Sequence, residues 1–245
     1  MTTDKVALVT GAARRIGAAI ARELHAAGWR VLVHYRGSAA EAQALVAELT
    51  ATRPDTALAL PADLADAAAL ATLARQAQAH WGRLDALVNN ASVYYPTPFG
   101  AIASAQFDDL LASNLRAPLL LTQACAPLLA DGGAVVNIVD TLARRPARDF
   151  SAYHAAKSGL WTLTEALALE LAPRVRVNGV APGHMLWPEY AELGADRQRQ
   201  ELARVPLGRL GGAQEIARAV KFLLSDDAAY ITGAVLPVDG GLRLR

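Results

Sequence analysis

The stretch KVALVTGAARRIG, Lys5 to Gly17, decides how the fold is read. An unbroken apolar run, Val6 to Val9, enters a turn bracketed by Gly11 and Gly17, and an alanine-rich helical pattern follows. A run without polar alternation suits a strand covered on both faces, as in a parallel sheet. Glycine tolerates positive φ and lets backbone N–H groups approach a phosphate at a helix amino terminus. The turn therefore reads as a nucleotide loop, although a tight turn with a helix-packing glycine would look the same. Its anomaly is the pair Arg14 and Arg15, where such loops favour small residues.

Outward from this stretch, strand candidates fall at 5–10, 30–35, 56–60, 85–89, 134–139, 175–180 and 234–238. Helical patterns lie between them, at 15–27, 39–51, 66–80, 104–129 and 152–172. Strand and helix alternating in this way predict a single-domain α/β fold over residues 1–245: a Rossmann-type, doubly wound parallel sheet of about seven strands with helices on both faces. No Pro-, Gly- or Ser-rich linker, internal repeat or charge block divides the chain.

Composition narrows the function. With 53% hydrophobic and 19% charged residues the chain can bury a large core. A formal net charge of +1 gives no electrostatic case for nucleic acid or an acidic membrane surface as partner. No run reaches the roughly 18 apolar residues of a membrane span, and no signal-like segment precedes the first strand, so a cytoplasmic protein is expected. Cys125, alone in LLLTQACAPLL, cannot form an internal disulfide and reads as a core residue. No metal-ligand pattern is singled out.

In a doubly wound sheet the ligand lies beyond the carboxyl ends of the strands. After the second strand comes His34-Tyr35-Arg36-Gly37-Ser38, with no acid before Glu41. An acid there would hold a ribose 2′-hydroxyl, whereas Arg36, Arg14 or Arg15 and the Ser38 hydroxyl suit a 2′-phosphate. NADPH is therefore expected rather than NADH. Asp63-Leu64 follows the third strand, where a carboxylate could meet adenine or cap a helix. The small residues of NNAS, with Asn90, Ala91 and Ser92, leave room for the ribose and nicotinamide.

Together TG…G, NNA, SN (113–114), YHAAK (153–157), APG (181–183) and ITGAVLPVDGG (231–241) resemble the short-chain dehydrogenase/reductase family over the whole chain. The resemblance adds Ile16, Pro182 and Gly183 to the cofactor site, along with His34 and Tyr35. It makes Tyr153, Lys157 and Asn114 catalytic, with Tyr153 and Lys157 also touching cofactor and Asn114 holding a water for proton relay. Tyr153 and Lys157, four apart on a helix, share a face. A nearby ammonium would pull the phenol pKa down from about 10.

The family places a serine thirteen residues before this tyrosine, where the present chain has Asp140. An ionised carboxylate cannot donate a hydrogen bond to a carbonyl and would repel a developing oxyanion. Asp140, Arg15 in a T-G-x-x-x-R-x-G loop, and Tyr94 beyond Ser92 together resemble the pteridine reductases, a branch of the family. That likeness implies NADPH-dependent reduction of a pteridine C=N bond, with dihydrofolate a further candidate. The ring would stack against Tyr94, with Arg15, Ser92, Asp140 and Tyr153 on its polar edge and Met185 and Trp187 beside it. Arg15 would span cofactor phosphate and substrate, and residues 183–212 would form a substrate loop. The resemblance further implies a homotetramer, with Arg243 or Arg245 near a neighbour's site. His154 reads as helix surface and His184 as a polar rim residue. Two other readings stay open: a carbonyl reductase acting on 3-oxoacyl or sugar substrates, and a catalytically inactive NADPH-binding sensor.

Overall fold

The computed structural model describes residues 5–187 and 194–245. Seven parallel strands form one sheet in the order β3-β2-β1-β4-β5-β6-β7. They are β1 (Val6–Val9), β2 (Arg30–Tyr35), β3 (Ala57–Pro61), β4 (Leu84–Asn89), β5 (Leu129–Ile138), β6 (Val175–Pro182) and β7 (Val235–Val238). Connecting them are α1 (Arg15–Ala26), α2 (Ala39–Thr52), α3 (Ala67–Trp81), α4 (Ser104–Leu111), α5 (Ala117–Cys125), α6 (Ser151–Leu171), α7 (Ala195–Ala203) and α8 (Ala213–Leu224). The expected Rossmann-type α/β architecture is what the chain adopts.

Alternation along β1 shows why its run had to be apolar throughout. Ala7 and Val9 join one core with Ile20 and Leu24 of α1 and Ile216 and Val220 of α8. Val6 and Leu8 join the other, with Leu70 and Leu73 of α3 and Leu121 of α5. All four strand residues are wholly buried, and each large side chain so removed from water stabilises the fold by roughly 1.5–3 kcal/mol. Cys125 lies in the second core, where burial pushes its thiol up to about 12.

The strand order reverses between β1 and β4: Val9 of β1 pairs with Val33 of β2 on one side and with Val88 of β4 on the other. A crevice opens at such a point. Asn90 braces it, its side-chain amide donating to the carbonyls of Thr10 and Gly11 at 2.9 and 3.1 Å.

One expected helix, 104–129, is broken. Between α4 and α5 the chain makes a π turn, Ala112–Arg116, and it closes with a 3₁₀ turn, Ala126–Leu128, so that β5 starts earlier than expected, at Leu129. Pro118 explains the break, since it has no N–H to return to the carbonyl of Asn114. The π turn instead carries the Ala117 N–H to Ala112 and leaves Asn114 wholly buried. Helices α7 and α8 escaped the sequence patterns. No residue of α7 is buried. Pro188 and Glu189, and with them the stretch 188–193 of the expected substrate loop, lie outside the described residues.

Candidate active site

Above the switch point is a cavity of about 610 Å³, lined from four loops: Gly11 and Arg14 to Gly17 after β1, His34 to Ser38 after β2, Asp63 and Leu64 after β3, Asn90 to Ser92 after β4. Both loop glycines have geometric reasons. Gly11 has φ +59, and a Cβ there would lie 2.9 Å from Ala91 Cα. A Cβ on Gly17 would lie 2.2 Å from the carbonyl oxygen of Gly11 and 2.6 Å from the Asn90 amide. The first helical turn carries no acid, so its amino terminus keeps the positive end of the helix dipole for an anion. These features fit a dinucleotide: close backbone, small residues, and cations after β1 (Arg14, Arg15) and β2 (Arg36).

Arg15 stands in a conformation that suits glycine, with φ +52. The replacement therefore kept the backbone shape of a glycine loop and placed a side chain on it. Its guanidinium donates to the carbonyl of Trp187 at 3.2 Å, joining the loop after β1 to the one after β6 across the crevice. Left-handed backbone costs a non-glycine residue about 1 kcal/mol or more. Arg15→Gly is therefore expected to be roughly 1 kcal/mol more stable than Arg15→Ala, the reverse of their order inside a helix. Urea unfolding of the two variants, neither of which has the guanidinium, would read the strain directly. Equal stability would show that there is none.

Arg14 flanks the cavity 3.9 Å from Glu41 and is more than half exposed. His34 lines the cavity from beneath the loop after β1. It is 2% exposed, its Nδ1 accepts from the Gly11 N–H at 3.0 Å, and its Nε2 faces the Ala62 carbonyl at 3.2 Å. The two contacts settle the tautomer: Nδ1 accepts and Nε2–H donates. Burial brings this imidazole down to about 4. The carboxylate of Asp63 accepts from Ala65 N, while the cap of α3 is Asp66, which accepts from Ala68 N.

Beside the nucleotide crevice, β5 and α6 bring a second group of side chains together. Tyr153 donates from its hydroxyl to Asp140 Oδ2 at 2.9 Å. Asp140 Oδ1 accepts from Leu142 N at 2.7 Å, capping the 3₁₀ turn Thr141–Arg144. Lys157, 2% exposed, gives its ammonium to the Ile138 carbonyl at 2.9 Å and lies 5.9 Å from the Tyr153 ring centre. Burial lowers its pKa to about 8 against the opposing pull of Asp140.

The phenol departs from expectation. Burial first, then the charge and hydrogen bond of Asp140, push Tyr153 well above its ordinary value. The ammonium, committed to Ile138, does not reverse this, so Tyr153 is held as a proton donor. Asn114 is equally committed: its amide donates to Val93 and Leu110 carbonyls, both at 2.9 Å, and its Oδ1 accepts from the Ser92 hydroxyl at 2.6 Å. A buried chain from Asn89 through Asn137 to Thr164 ties β4 and β5 to α6 and so sets the height of Tyr153.

An aromatic wall adjoins Tyr153. Tyr94 meets it edge-on at 4.7 Å and stacks on Phe150 at 4.8 Å and 11°. Sequence reasoning missed Phe150, although an aromatic one turn before Tyr153 was its signal. It also misplaced His154, which is 5% exposed, stands edge-on to Tyr153 at 5.5 Å, and has a buried Nδ1 with no hydrogen-bond partner among the described residues. His184 faces Glu201 at 3.4 Å. Met185, expected beside the substrate, sits in packing. Buried at 5%, it packs on Gly211, where a Cβ would meet its methyl at 2.3 Å. It lines a second cavity of about 490 Å³ together with His184 and Asp239. Trp187 approaches the crevice through its carbonyl on Arg15. Pro182 ends β6, and Gly183 bonds its N–H to Val238 at 3.0 Å, abutting Asp239. Among the described residues no helix is long and apolar enough to cross a membrane.

Comparison with known proteins agrees with this architecture. The family described as enoyl-(acyl carrier protein) reductase matches residues 11–243. Pteridine reductase 1 of Leishmania tarentolae is 40% identical, covering 99% of this chain and 97% of the relative. A 3-oxoacyl-(acyl-carrier-protein) reductase of Staphylococcus aureus is 36% identical with both chains fully covered. An uncharacterized oxidoreductase of Methylorubrum extorquens is 38% identical over 98% of each. With a matching fold, a nucleotide crevice and relatives of this closeness, the chain belongs to the short-chain dehydrogenase/reductase family, oxidoreductases that bind NAD(P)H.

Proposed function

We propose that this oxidoreductase is an NADPH-dependent pteridine reductase acting on a ring C=N bond. The observation that carries the reading is the 2.9 Å bond from Tyr153 to a carboxylate, Asp140, itself anchored on Leu142 N. A carbonyl reductase needs hydrogen-bond donors around a developing oxyanion, and a carboxylate there is adverse. A pteridine presents N–H groups that a carboxylate accepts and a ring nitrogen that needs a proton.

When bound, NADPH supplies the hydride. Arg36, Arg14 and Ser38 favour the 2′-phosphate, and Tyr35, Leu64 and Asp63 border the adenosine end of the same cavity. Pro182 and Gly183, at the carboxyl end of β6, would meet the nicotinamide. Tyr153, held protonated, gives its proton to the ring nitrogen. Asp140 orients that hydroxyl, and the Lys157 ammonium adds positive charge as the phenol loses its proton. Tyr94, backed by Phe150, offers an aromatic surface to a flat ring, with Ser92 and Arg15 on the polar edge. The unbroken set Tyr153, Lys157 and Asn114 argues against an inactive sensor. The exposed Leu169 on α6, at 84%, is consistent with the proposed homotetramer.

The 3-oxoacyl-(acyl-carrier-protein) reductase relative supports a second reading, reduction of a 3-oxoacyl group. NADPH oxidation with dihydrobiopterin, dihydrofolate and a panel of ketones separates the two. Asp140→Ser is expected to lower pteridine turnover about 100-fold at nearly constant NADPH affinity. Pteridine turnover unaltered by that substitution, or turnover of ketones alone by the native chain, would falsify the pteridine assignment.

A further inference from the structure

The motif VDGG, at the end of β7, has no part in the site described so far, yet its carboxylate is among the most heavily bonded. Asp239 is 5% exposed. Its Oδ2 accepts from the Thr141 hydroxyl at 2.8 Å and from Arg243 N at 3.0 Å. Its Oδ1 accepts from Gly241 N at 2.9 Å, with the Arg243 guanidinium at 3.5 Å. Leu242, 2% exposed, pins the same turn into the protein.

Thr141 immediately follows Asp140 and opens the 3₁₀ turn that Asp140 caps. Both Asp140 oxygens are in use, one on Leu142 N within that turn and one on the Tyr153 hydroxyl. Where the turn sits therefore decides where the carboxylate meets the phenol. Asp239 holds the turn from outside, and Arg145, near its other end, bonds to the Arg243 carbonyl. We propose that Asp239, through the Thr141 hydroxyl, is a positioning residue that holds the turn bearing Asp140 in register with Tyr153. The inference rests on the Asp140–Tyr153 pair being the proton source, but not on the identity of the substrate.

The mechanical logic is that of a short lever. A carboxylate buried with several donors is costly to move, because each lost bond leaves a buried polar group unpaired. A misplacement of about 1 Å at a reacting group can cost up to 100-fold in rate. Thr141→Val removes the hydroxyl at constant shape, and Thr141→Ser keeps it.

Two measurements test the idea. Turnover is followed with whichever of the pteridine or ketone substrates the native chain accepts. Thr141→Val is expected to lose at least about tenfold in kcat with KM for NADPH little changed, while Thr141→Ser recovers most of the rate. Independently of any substrate, the ionisation of Tyr153 is isolated as tyrosinate absorbance, by difference against Tyr153→Phe in each background. With Asp140 displaced, Tyr153 is expected to ionise at lower pH in Thr141→Val than in the native chain, and Thr141→Ser to titrate like the native chain. Native kcat and native titration in Thr141→Val would overturn the proposal even if its melting temperature fell, leaving Asp239 a purely structural clamp. Equal damage from Val and Ser would overturn it as well. Native turnover of ketones alone would remove the pteridine reading and leave this one to stand or fall on ketone kcat and the titration.

Discussion

Replacing Tyr153 by Phe is expected to lower kcat about 1000-fold, with a far smaller change in cofactor affinity. The substitution removes one oxygen from a ring already fixed against Tyr94 and His154. General acid catalysis by a positioned group contributes roughly 10²–10⁴-fold, and three decades correspond to about 4 kcal/mol of barrier. The sign follows from the environment. Burial and Asp140 hold the phenol protonated, so the group arrives at the reaction with the proton that the product needs. Lys157 sets the upper edge of the pH profile: its ammonium loses its proton as pH rises through about 8, and turnover is expected to fall there. Single-turnover NADPH oxidation, which separates chemistry from product release, is the measurement. A Tyr153→Phe rate within tenfold of native would remove the hydroxyl from the mechanism.

Acid is expected to loosen the cofactor loop well before it unfolds the rest, and His34 is the reason. Its pKa lies at about 4 in the fold and near 6.5 in an unfolded chain. The native state therefore refuses a proton that the unfolded chain accepts. His34's stabilising contribution is intact above pH 6.5, declines as pH falls through that window, and is lost below about 4. The difference amounts to roughly 3 kcal/mol for this buried ring. Protonation would also turn Nδ1 from the acceptor of the Gly11 N–H into a donor facing it. NADPH affinity should weaken in the same window. Urea unfolding at pH 7.5 and 4.5, in the native chain and in His34→Asn, isolates this effect from other titrating groups. Identical pH slopes in the two proteins would refute it.

The sequence alone disclosed whatever depends on neighbours in the chain. The apolar run Val6–Val9 could only be a strand covered twice, and the repeated alternation of strand and helix implied the doubly wound sheet. Gly11 and Gly17 marked a turn into a helix, without saying whether it served a ligand or only packing, and Tyr153 and Lys157 share a face because 3.6 residues make a turn. The helix expected at 104–129 failed because a periodic pattern carries little sign of a π turn; Pro118 was its one local warning.

The rest was decided by contacts between distant segments. That Arg15 reaches Trp187, that His154 is buried and Met185 packs on Gly211, depends on which surfaces the fold brings together. The state of Tyr153 shows the difference most clearly. From spacing alone the ammonium of Lys157 should have drawn its proton away. In the fold that ammonium is bound to Ile138, the ring is buried, and a carboxylate thirteen residues earlier faces the hydroxyl. Composition and periodicity determine which side chains exist and which way an element turns them. Charge state depends on burial and on partners, and those only the tertiary structure supplies.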